Sequence, residues 1–154
     1  MSRMVNDCVL CAEDGGTLIW KNDRLRVIAV HEPDLPGYTR VIWHAHIQEM
    51  SDLDTAQRDL FMRVVFQVEE VQREVFHPDK INLASLGNMT PHLHWHIVPR
   101  WRDDPWFPDS IWAPRRQHDA PADALWRDRC RALHATHRNY IAAAQERLAI
   151  PHTS

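Results

Sequence analysis

The stretch HLHWHIV, residues 92–98, alternates between histidine and apolar residues, and this period of two strongly constrains the fold. Because successive side chains of a β-strand point to opposite faces, the alternation predicts a strand with His92, His94 and His96 on one face. The apolar residues between them then face a core. Each imidazole has two nitrogens that need partners when buried, so packing alone does not explain the row.

Spacing alone leaves three uses for the histidine row. The strand can be a histidine-rich surface strand, a pair of its histidines can bind one metal ion, or the row can be catalytic. Catalysis and metal binding fit the spacing equally well. The apolar residues between the histidines argue against a purely surface role.

The remaining segments predict a mixture of strands and helices. Apolar residues recur every three or four positions over residues 53–75, which predicts a helix capped by Ser51 or Asp52. Five other segments are predicted from their residue types and periods: a hairpin over 17–30, a strand over 38–43, a strand over 80–88, a proline-rich loop over 101–121 and an amphipathic helix over 123–150.

Composition describes one ordinary globular domain. The chain has 154 residues, of which 44% are hydrophobic and 25% charged, and its net charge is -3. This charge gives no general attraction to nucleic acid or to an anionic membrane. We find no apolar run long enough for a signal peptide or a membrane span, and therefore expect a cytoplasmic protein.

Three cysteines are too few, and odd in number, for a disulfide scaffold. Cys8 and Cys11 form a Cys-x-x-Cys pair, which is typical of a metal site or a redox motif. The spacing is also compatible with a passive role, in which the two cysteines are only small buried side chains near the chain terminus.

The sequence HLHWHIV fits the His-φ-His-φ-His-φ-φ signature, and the chain resembles the histidine triad (HIT) family of nucleotide hydrolases and transferases. The resemblance extends over the hairpin, the segment WHAHIQEM, the helix and the Asn-bearing strand. The segment PRWRDDPWFPDSIW is similar to the loop of the fragile histidine triad branch, which hydrolyses dinucleoside polyphosphates.

The resemblance implies an α+β fold, in which one long helix packs on an antiparallel sheet of about five strands. We expect residues 1–120 to form this HIT domain. The C-terminal helix lies outside the resemblance, and residues 121–154 are interpreted as a helical extension packed on the same domain. The family also implies a homodimer, for which the tryptophans of residues 101–112 are suited to an interface.

The resemblance implies that the middle histidine, His94, attacks an α-phosphorus and forms a covalent nucleotidyl-histidine. An imidazole with a pKa of about 6.5 is largely neutral and nucleophilic at cellular pH. We expect the backbone carbonyl of His92 to accept the proton of the far nitrogen of His94. The counterpart of His96 in the family binds the scissile phosphate and supports departure of the leaving group.

Two asparagines match positions that bind phosphate in the family. Asn82 corresponds to the upstream Asn if one loop residue is deleted, and Asn88 then falls where relatives often carry Gln. Both side chains can donate to phosphate oxygens, although each is also an ordinary strand-end or turn asparagine.

The chain departs from the family pattern at two places. Val30 and His31 stand where relatives commonly place a short polar residue for the ribose, and no Gly-rich loop precedes the triad. Side chains or strand-end amides must then hold the phosphate. Four arginines after the triad can supply charge, but we expect them to be solvated loop residues: Arg100, Arg102, Arg115 and Arg116.

Relatives with Cys-x-x-Cys bind a structural zinc, and the matching positions here are Cys8, Cys11, His46 and His92. Two cysteines and two histidines meet the tetrahedral demand of zinc and leave no open position for catalysis.

The expected function is therefore nucleotide hydrolysis or nucleotidyl transfer on dinucleoside polyphosphates or nucleoside phosphoramidates. Two alternatives remain open in the sequence. The chain can be a nucleotide-binding regulatory protein with little turnover, or a dinucleoside polyphosphate phosphorylase.

Overall fold

The fold is built on a single antiparallel sheet. A computed structural model describes residues 7–151 of the chain. Each strand pairs antiparallel with its neighbours, in the order β1-β2-β3-β5-β4. The five-stranded sheet predicted from the family resemblance is therefore confirmed. The strands are β1 (Thr17–Lys21), β2 (Leu25–Ala29), β3 (Thr39–Trp43), β4 (Lys80–Ala84) and β5 (His94–Arg100).

Within the described residues, four α-helices accompany the sheet. None of them, within residues 7–151, is long and apolar enough to cross a membrane. A short 3-10 helix, Met50–Asp52, precedes the longest helix. The helices are α1 (Val9–Ala12), α2 (Thr55–Phe76), α3 (Ala120–Ala135) and α4 (His137–Ala149).

The cap of the long helix lies two residues after Asp52 and three after Ser51, the two predicted caps. Ser51 and Asp52 belong to the 3-10 helix, and Asp54 is the residue that caps α2. The Asp54 carboxylate accepts from the Gln57 backbone N–H at 2.8 Å, while the Gln57 side chain accepts from the Asp54 N–H at 2.9 Å. This reciprocal box satisfies two N–H groups that a helix start leaves without partners.

The two faces of the sheet have different partners. On one face Val27, Val41 and Ile97 form a core with the apolar side of α2. The other face, which we call the triad face, carries His94 and His96. This division follows from the period of two in the strands, since Ile97 alternates with the histidines along β5.

The C-terminal segment forms two helices, whereas the sequence predicted one. The helix α3 ends at Thr136, whose hydroxyl donates to the Leu133 carbonyl at 2.7 Å, and α4 begins at the next residue. A Thr hydroxyl that bonds the preceding turn competes with the regular helix ladder. Tyr140, Ala144 and Leu148 of α4 are buried in the α2 core.

Candidate active site

His94 and His96 are neighbours on β5 and are both almost fully buried, at 6% and 5% exposure. Their ring centroids lie 4.7 Å apart with the rings nearly perpendicular. Across the adjacent strand β3, His94 pairs with Ile42 and His96 pairs with Arg40. Directly paired residues share a face of the sheet, so Arg40 and Ile42 also lie on the triad face.

The tautomer of His94 is fixed by the backbone. His94 Nδ1 lies 2.5 Å from the carbonyl oxygen of His92. A carbonyl only accepts, so Nδ1 must carry the hydrogen, and Nε2 keeps a free lone pair. The hydrogen bond between these two residues is the one expected from the sequence.

His96 is held by a different partner. The Tyr38 hydroxyl lies 2.6 Å from His96 Nδ1, and Arg40 donates to the Tyr38 oxygen from Nε and Nη2, each at 3.3 Å. Since Arg40 occupies the acceptor side of Tyr38, the Tyr38 proton is directed to His96 Nδ1. His96 then carries its own hydrogen on Nε2, opposite to the arrangement in His94.

Burial keeps both histidines neutral. Burial, together with the nearby His94 and Arg40, lowers the pKa of His96 to about 3, and burial is the largest of these causes. Burial also lowers the pKa of His94, against the hydrogen bond to His92, which raises it. Burial raises the pKa of Tyr38, so this hydroxyl keeps its proton at neutral pH.

Tyr38 and Arg40 were not among the residues singled out from the sequence. Tyr38 follows Gly37, whose φ of +77° suits glycine and whose Cα approaches Phe76 so closely that an added Cβ would lie 2.5 Å from its ring. This turn sets where β3 begins, and therefore which face Tyr38 and Arg40 occupy. The available signal was a charged residue inside an otherwise apolar strand.

Asn82 lies on the triad face but has a buried partner. It pairs with Val98 on β5, and its Oδ1 accepts from Arg100 Nη1 at 2.7 Å. The amide NH2 of Asn82 is therefore the group left for another acceptor. Asn88 lies in the loop between β4 and β5 and is exposed.

The prediction that Arg100 is a solvated loop residue is wrong. Arg100 is the last residue of β5, is 1% exposed, and forms a buried ion pair with Asp104 at 2.7 Å. Asp104 in turn accepts from the backbone N–H groups of Trp106 and Phe107. A buried arginine needs such a partner, and this one folds the following loop back onto the strand.

The other three arginines after the triad are exposed loop residues, as predicted. Arg102 is exposed, Arg115 pairs with Asp34 at 3.7 Å, and Arg116 pairs with Asp109 at 3.0 Å. Exposed pairs of this kind contribute little to stability.

At the position where relatives place a short polar residue for the ribose, Val30 and His31 offer neither a carboxylate nor an amide. Val30 is half-buried against the triad face, and His31 Nε2 lies 2.5 Å from the Thr17 hydroxyl.

The tryptophans of the loop after β5 lie in different environments. Trp112 is 48% exposed, and its ring meets His96 edge to face at a centroid distance of 4.8 Å. Trp101 is buried in the α2 core against Trp126. Trp101 is therefore unavailable for the interface suggested from the sequence, because it already packs within its own chain.

Cys8, Cys11, His46 and His92 come together just before the start of β5, and one ligand atom from each lies within 4.8 Å of the others. His92 Nδ1 is 3.5 Å from Cys8 Sγ and 3.4 Å from Cys11 Sγ, and His46 Nδ1 is 3.3 Å from Cys11 Sγ. In a tetrahedral site with ordinary zinc bond lengths, sulfur and nitrogen ligands lie about 3.5 Å apart. The four residues can therefore hold a metal ion.

The second nitrogen of His92 orients this ligand set. His92 Nε2 donates to the Trp43 carbonyl at 2.6 Å, which leaves Nδ1 as the ligand atom. The thiols are placed by α1, whose Leu10 carbonyl accepts from Arg26 Nη2 at 2.6 Å. Arg26 is 5% exposed and also donates to the Glu13 and Asp14 carbonyls.

Curated proteins of known and unknown activity are similar to this chain. An uncharacterised HIT-like protein of Saccharolobus solfataricus is 25% identical over 64% of this chain and 77% of its own length. The asymmetrical bis(5'-nucleosyl)-tetraphosphatase of Schizosaccharomyces pombe is 27% identical over 58% of this chain and 52% of its own. The AP-4-A phosphorylase of Mycobacterium tuberculosis is 23% identical over 60% and 51%. The chain thus spans about half the length of these two enzymes.

Solved structures share the fold. A histidine triad protein of Sinorhizobium meliloti is 20% identical, with a TM-score of 0.68 over 93% of this chain and 98% of the other. A Zn-bound histidine triad family protein of Mycobacterium smegmatis is 22% identical, with a TM-score of 0.54 over 86% and 99%. The family model for the HIT domain matches residues 12–103, well over half of the chain. On this match, which includes the paired histidines of β5, the chain belongs to the HIT domain family.

Proposed function

We propose that this protein transfers a nucleoside monophosphate from its substrate to His94 and then to water or another acceptor. The observation that carries the proposal is the hydrogen bond from His94 Nδ1 to the His92 carbonyl. It leaves Nε2 of a neutral imidazole free to act as a nucleophile. Substrates of this chemistry are dinucleoside polyphosphates and nucleoside phosphoramidates, as the two named enzymes among the relatives suggest for the first class.

The reaction has two steps. In the first, His94 Nε2 forms a bond to the α-phosphorus, and the bond from that phosphorus to the leaving group breaks. The Nε2–H of His96, set by Tyr38, donates to the leaving atom and stabilises its developing charge. In the second step water attacks the phosphorus and releases a proton to solvent, the bond to His94 breaks to restore the neutral imidazole, and a nucleoside monophosphate is released.

Asn82 and Asn88 are the proposed donors to phosphate oxygens. Asn82 is supported by its place on the triad face and by Arg100, which holds the amide oxygen so that the NH2 group is free to donate. Asn88 is supported by its exposed position in the loop before the triad strand.

We propose a structural zinc at Cys8, Cys11, His46 and His92. Four protein ligands leave no position for substrate, so the metal supplies cross-linking and no chemistry. The chain is also proposed to act as a homodimer. A cytoplasmic location is also proposed, because Cys8, Cys11 and Cys130 form no disulfide with one another, as is usual for cysteines in a reducing compartment.

A burst experiment with α-labelled diadenosine tetraphosphate tests the proposal. Rapid quenching in alkaline denaturant should trap up to one labelled adenylate per active site, linked through a P–N bond that is stable in alkali and is released in acid. The trapped label should be absent from His94→Ala. Turnover without any trapped label in a single-turnover time course would contradict the covalent route.

The same assay separates the two alternatives. A regulatory nucleotide-binding protein would retain nucleotide reversibly and release it on denaturation, with no turnover. A phosphorylase would speed up with inorganic phosphate and release ADP in place of AMP.

A further inference from the structure

Arg40 brings a positive charge to the histidine row. Its strand β3 is paired so that Arg40 lies directly opposite His96 on the triad face. The guanidinium lies over the Tyr38 ring at 5.3 Å and donates to the Tyr38 hydroxyl from Nε and Nη2. These contacts hold a half-buried cation next to the histidine that serves the leaving group in the proposed reaction.

The charge of Arg40 has no carboxylate partner within residues 7–151. Buried Arg100 pairs with Asp104, and the exposed arginines Arg115, Arg116 and Arg129 also have aspartate partners. Arg40 has only the neutral oxygen of Tyr38, which engages two of the five donors of a guanidinium. A partly desolvated cation without a counter-ion favours an anionic ligand.

We propose that Arg40 binds the phosphate groups of the leaving nucleotide and thereby makes the protein selective for substrates with an anionic leaving group. The inference rests on the proposed function and narrows its substrate class to dinucleoside polyphosphates. When ATP or ADP leaves, negative charge develops on the side of His96, where Arg40 donates to phosphate oxygens. A phosphoramidate that releases ammonia places no such charge there.

A purely structural role for Arg40 predicts a different result. If Arg40 served only to position Tyr38 and His96, its removal would slow both substrate classes by the same factor. The two roles are therefore separated by the ratio of kcat/KM for diadenosine tetraphosphate to kcat/KM for adenosine 5'-phosphoramidate.

The kinetic test compares Arg40→Gln and Arg40→Lys with the wild type. Arg40→Gln should lower the ratio about 10-fold to 100-fold, the range for loss of a charge-assisted pair of hydrogen bonds, while Arg40→Lys should lose less. Arg63→Gln is the matched control, because it removes the same charge from an exposed position on α2, on the opposite side of the sheet. An unchanged ratio in Arg40→Gln overturns the proposal.

A binding measurement keeps this test separate from the proposed function. Calorimetry on His94→Ala should show tighter binding of ATP than of AMP, and His94→Ala/Arg40→Gln should lose most of that difference. If AMP and ATP bind the His94→Ala protein equally, Arg40 does not read the extra phosphates, even when the covalent reaction is sound. If the wild type forms no nucleotidyl-histidine but the ATP preference depends on Arg40, the proposed function fails and the anion site stands.

Discussion

At the scale of single residues, two neighbouring histidines have opposite tautomers because their partners differ. His94 meets a carbonyl, which only accepts, whereas His96 meets a hydroxyl whose acceptor side is occupied by Arg40. One imidazole therefore presents a lone pair, and the other presents an N–H. The proposed reaction uses these two states, with one imidazole as the nucleophile and the other as the donor to the leaving group.

Replacing His94 should remove turnover and leave the fold intact. His94→Ala and His94→Gly should each lower kcat about 10⁴-fold or more, since orientation and phosphate binding do not replace a nucleophile. His96→Ala should lower kcat by a smaller factor, about 100-fold, as expected for loss of a positioned proton donor. Steady-state rates measure both, with circular dichroism as the control for folding. Near-normal turnover by His94→Ala would rule out covalent catalysis at this residue.

Tyr38→Phe should weaken catalysis through His96 without affecting the charge of Arg40. The ring remains, but Nδ1 of His96 loses its donor, and the tautomer with hydrogen on Nε2 is no longer favoured. We expect kcat to fall about 10-fold on both polyphosphate and phosphoramidate substrates, which corresponds to the free energy of one hydrogen bond. A change in KM alone, with kcat preserved, would place Tyr38 in substrate binding.

Buried His96 should make the protein less stable as the pH falls. Its pKa is about 3 in the folded protein, below the ordinary value of 6.5, so the unfolded chain takes up the proton first. The free energy of unfolding is therefore unaffected by protonation of His96 above pH 6.5 and falls progressively toward pH 3. At pH 5 the loss is already about 2 kcal/mol. Urea unfolding at pH 7 and pH 5 should show a smaller loss for His96→Gln than for the wild type. His134→Gln, at an exposed position on α3, is the control and should behave as the wild type does.

At the scale of elements, α1 is fixed to the triad strand by side chains that lie far apart in sequence. Arg26 of β2 holds the carbonyls of the α1 segment, and the thiols of Cys8 and Cys11 reach His92 just before β5. The carbonyl of His92 orients His94. A metal ion at these ligands would therefore stabilise the residue that sets the nucleophile without contacting substrate.

Removing the proposed zinc should lower stability more than activity. Cys8→Ser and Cys11→Ser should each lower Tm by several degrees, about 5 °C or more for a ligand of a structural site, with a smaller effect on kcat at mild temperature. Cys130→Ser tests the effect of losing a thiol elsewhere, since Cys130 is buried in the α2 core. Elemental analysis of protein purified without added metal should find about one zinc per chain. Zinc far below that level, together with a Tm that a strong chelator does not change, would remove the metal from this description.

Local patterns predicted the elements well, and their ends less well. The period of two located β5, and the three- and four-residue spacing located α2, because each reports which side of an element is buried. The helix break at Thr136 was missed, since the apolar positions of α3 and α4 keep one helical period across it. The division of the chain into segments 1–120 and 121–154 stays a prediction. Residues 1–6 of the first segment and 152–154 of the second lie outside the described residues.

At the scale of the whole molecule, the site combines residues that a local pattern reveals with residues that only strand pairing reveals. The two-residue spacing of the β5 histidines reveals them in the sequence. Tyr38 lies 58 positions from His96, and nothing between them in the sequence indicates that they meet. The burial of Arg100 was equally invisible in the sequence, because it depends on the loop after β5 folding back so that Asp104 pairs with Arg100.

Assembly is the property of the whole molecule that remains to be measured, and we predict a homodimer. The strand β4 lies at the edge of the sheet and, among residues 7–151, pairs only with β5, while Phe66 is 48% exposed on α2. Pairing through strand and helix edges, as the family resemblance implies, would cover both features. Sedimentation velocity at micromolar concentration should give the mass of two chains, and Phe66→Glu should shift the population to monomer because an interface does not accept an unpaired charge at low cost. Leu125→Glu, an equally drastic change at a 67% exposed position on α3, should remain dimeric. A wild-type protein that sediments as a single chain would contradict the prediction and leave Phe66 as an ordinary exposed side chain.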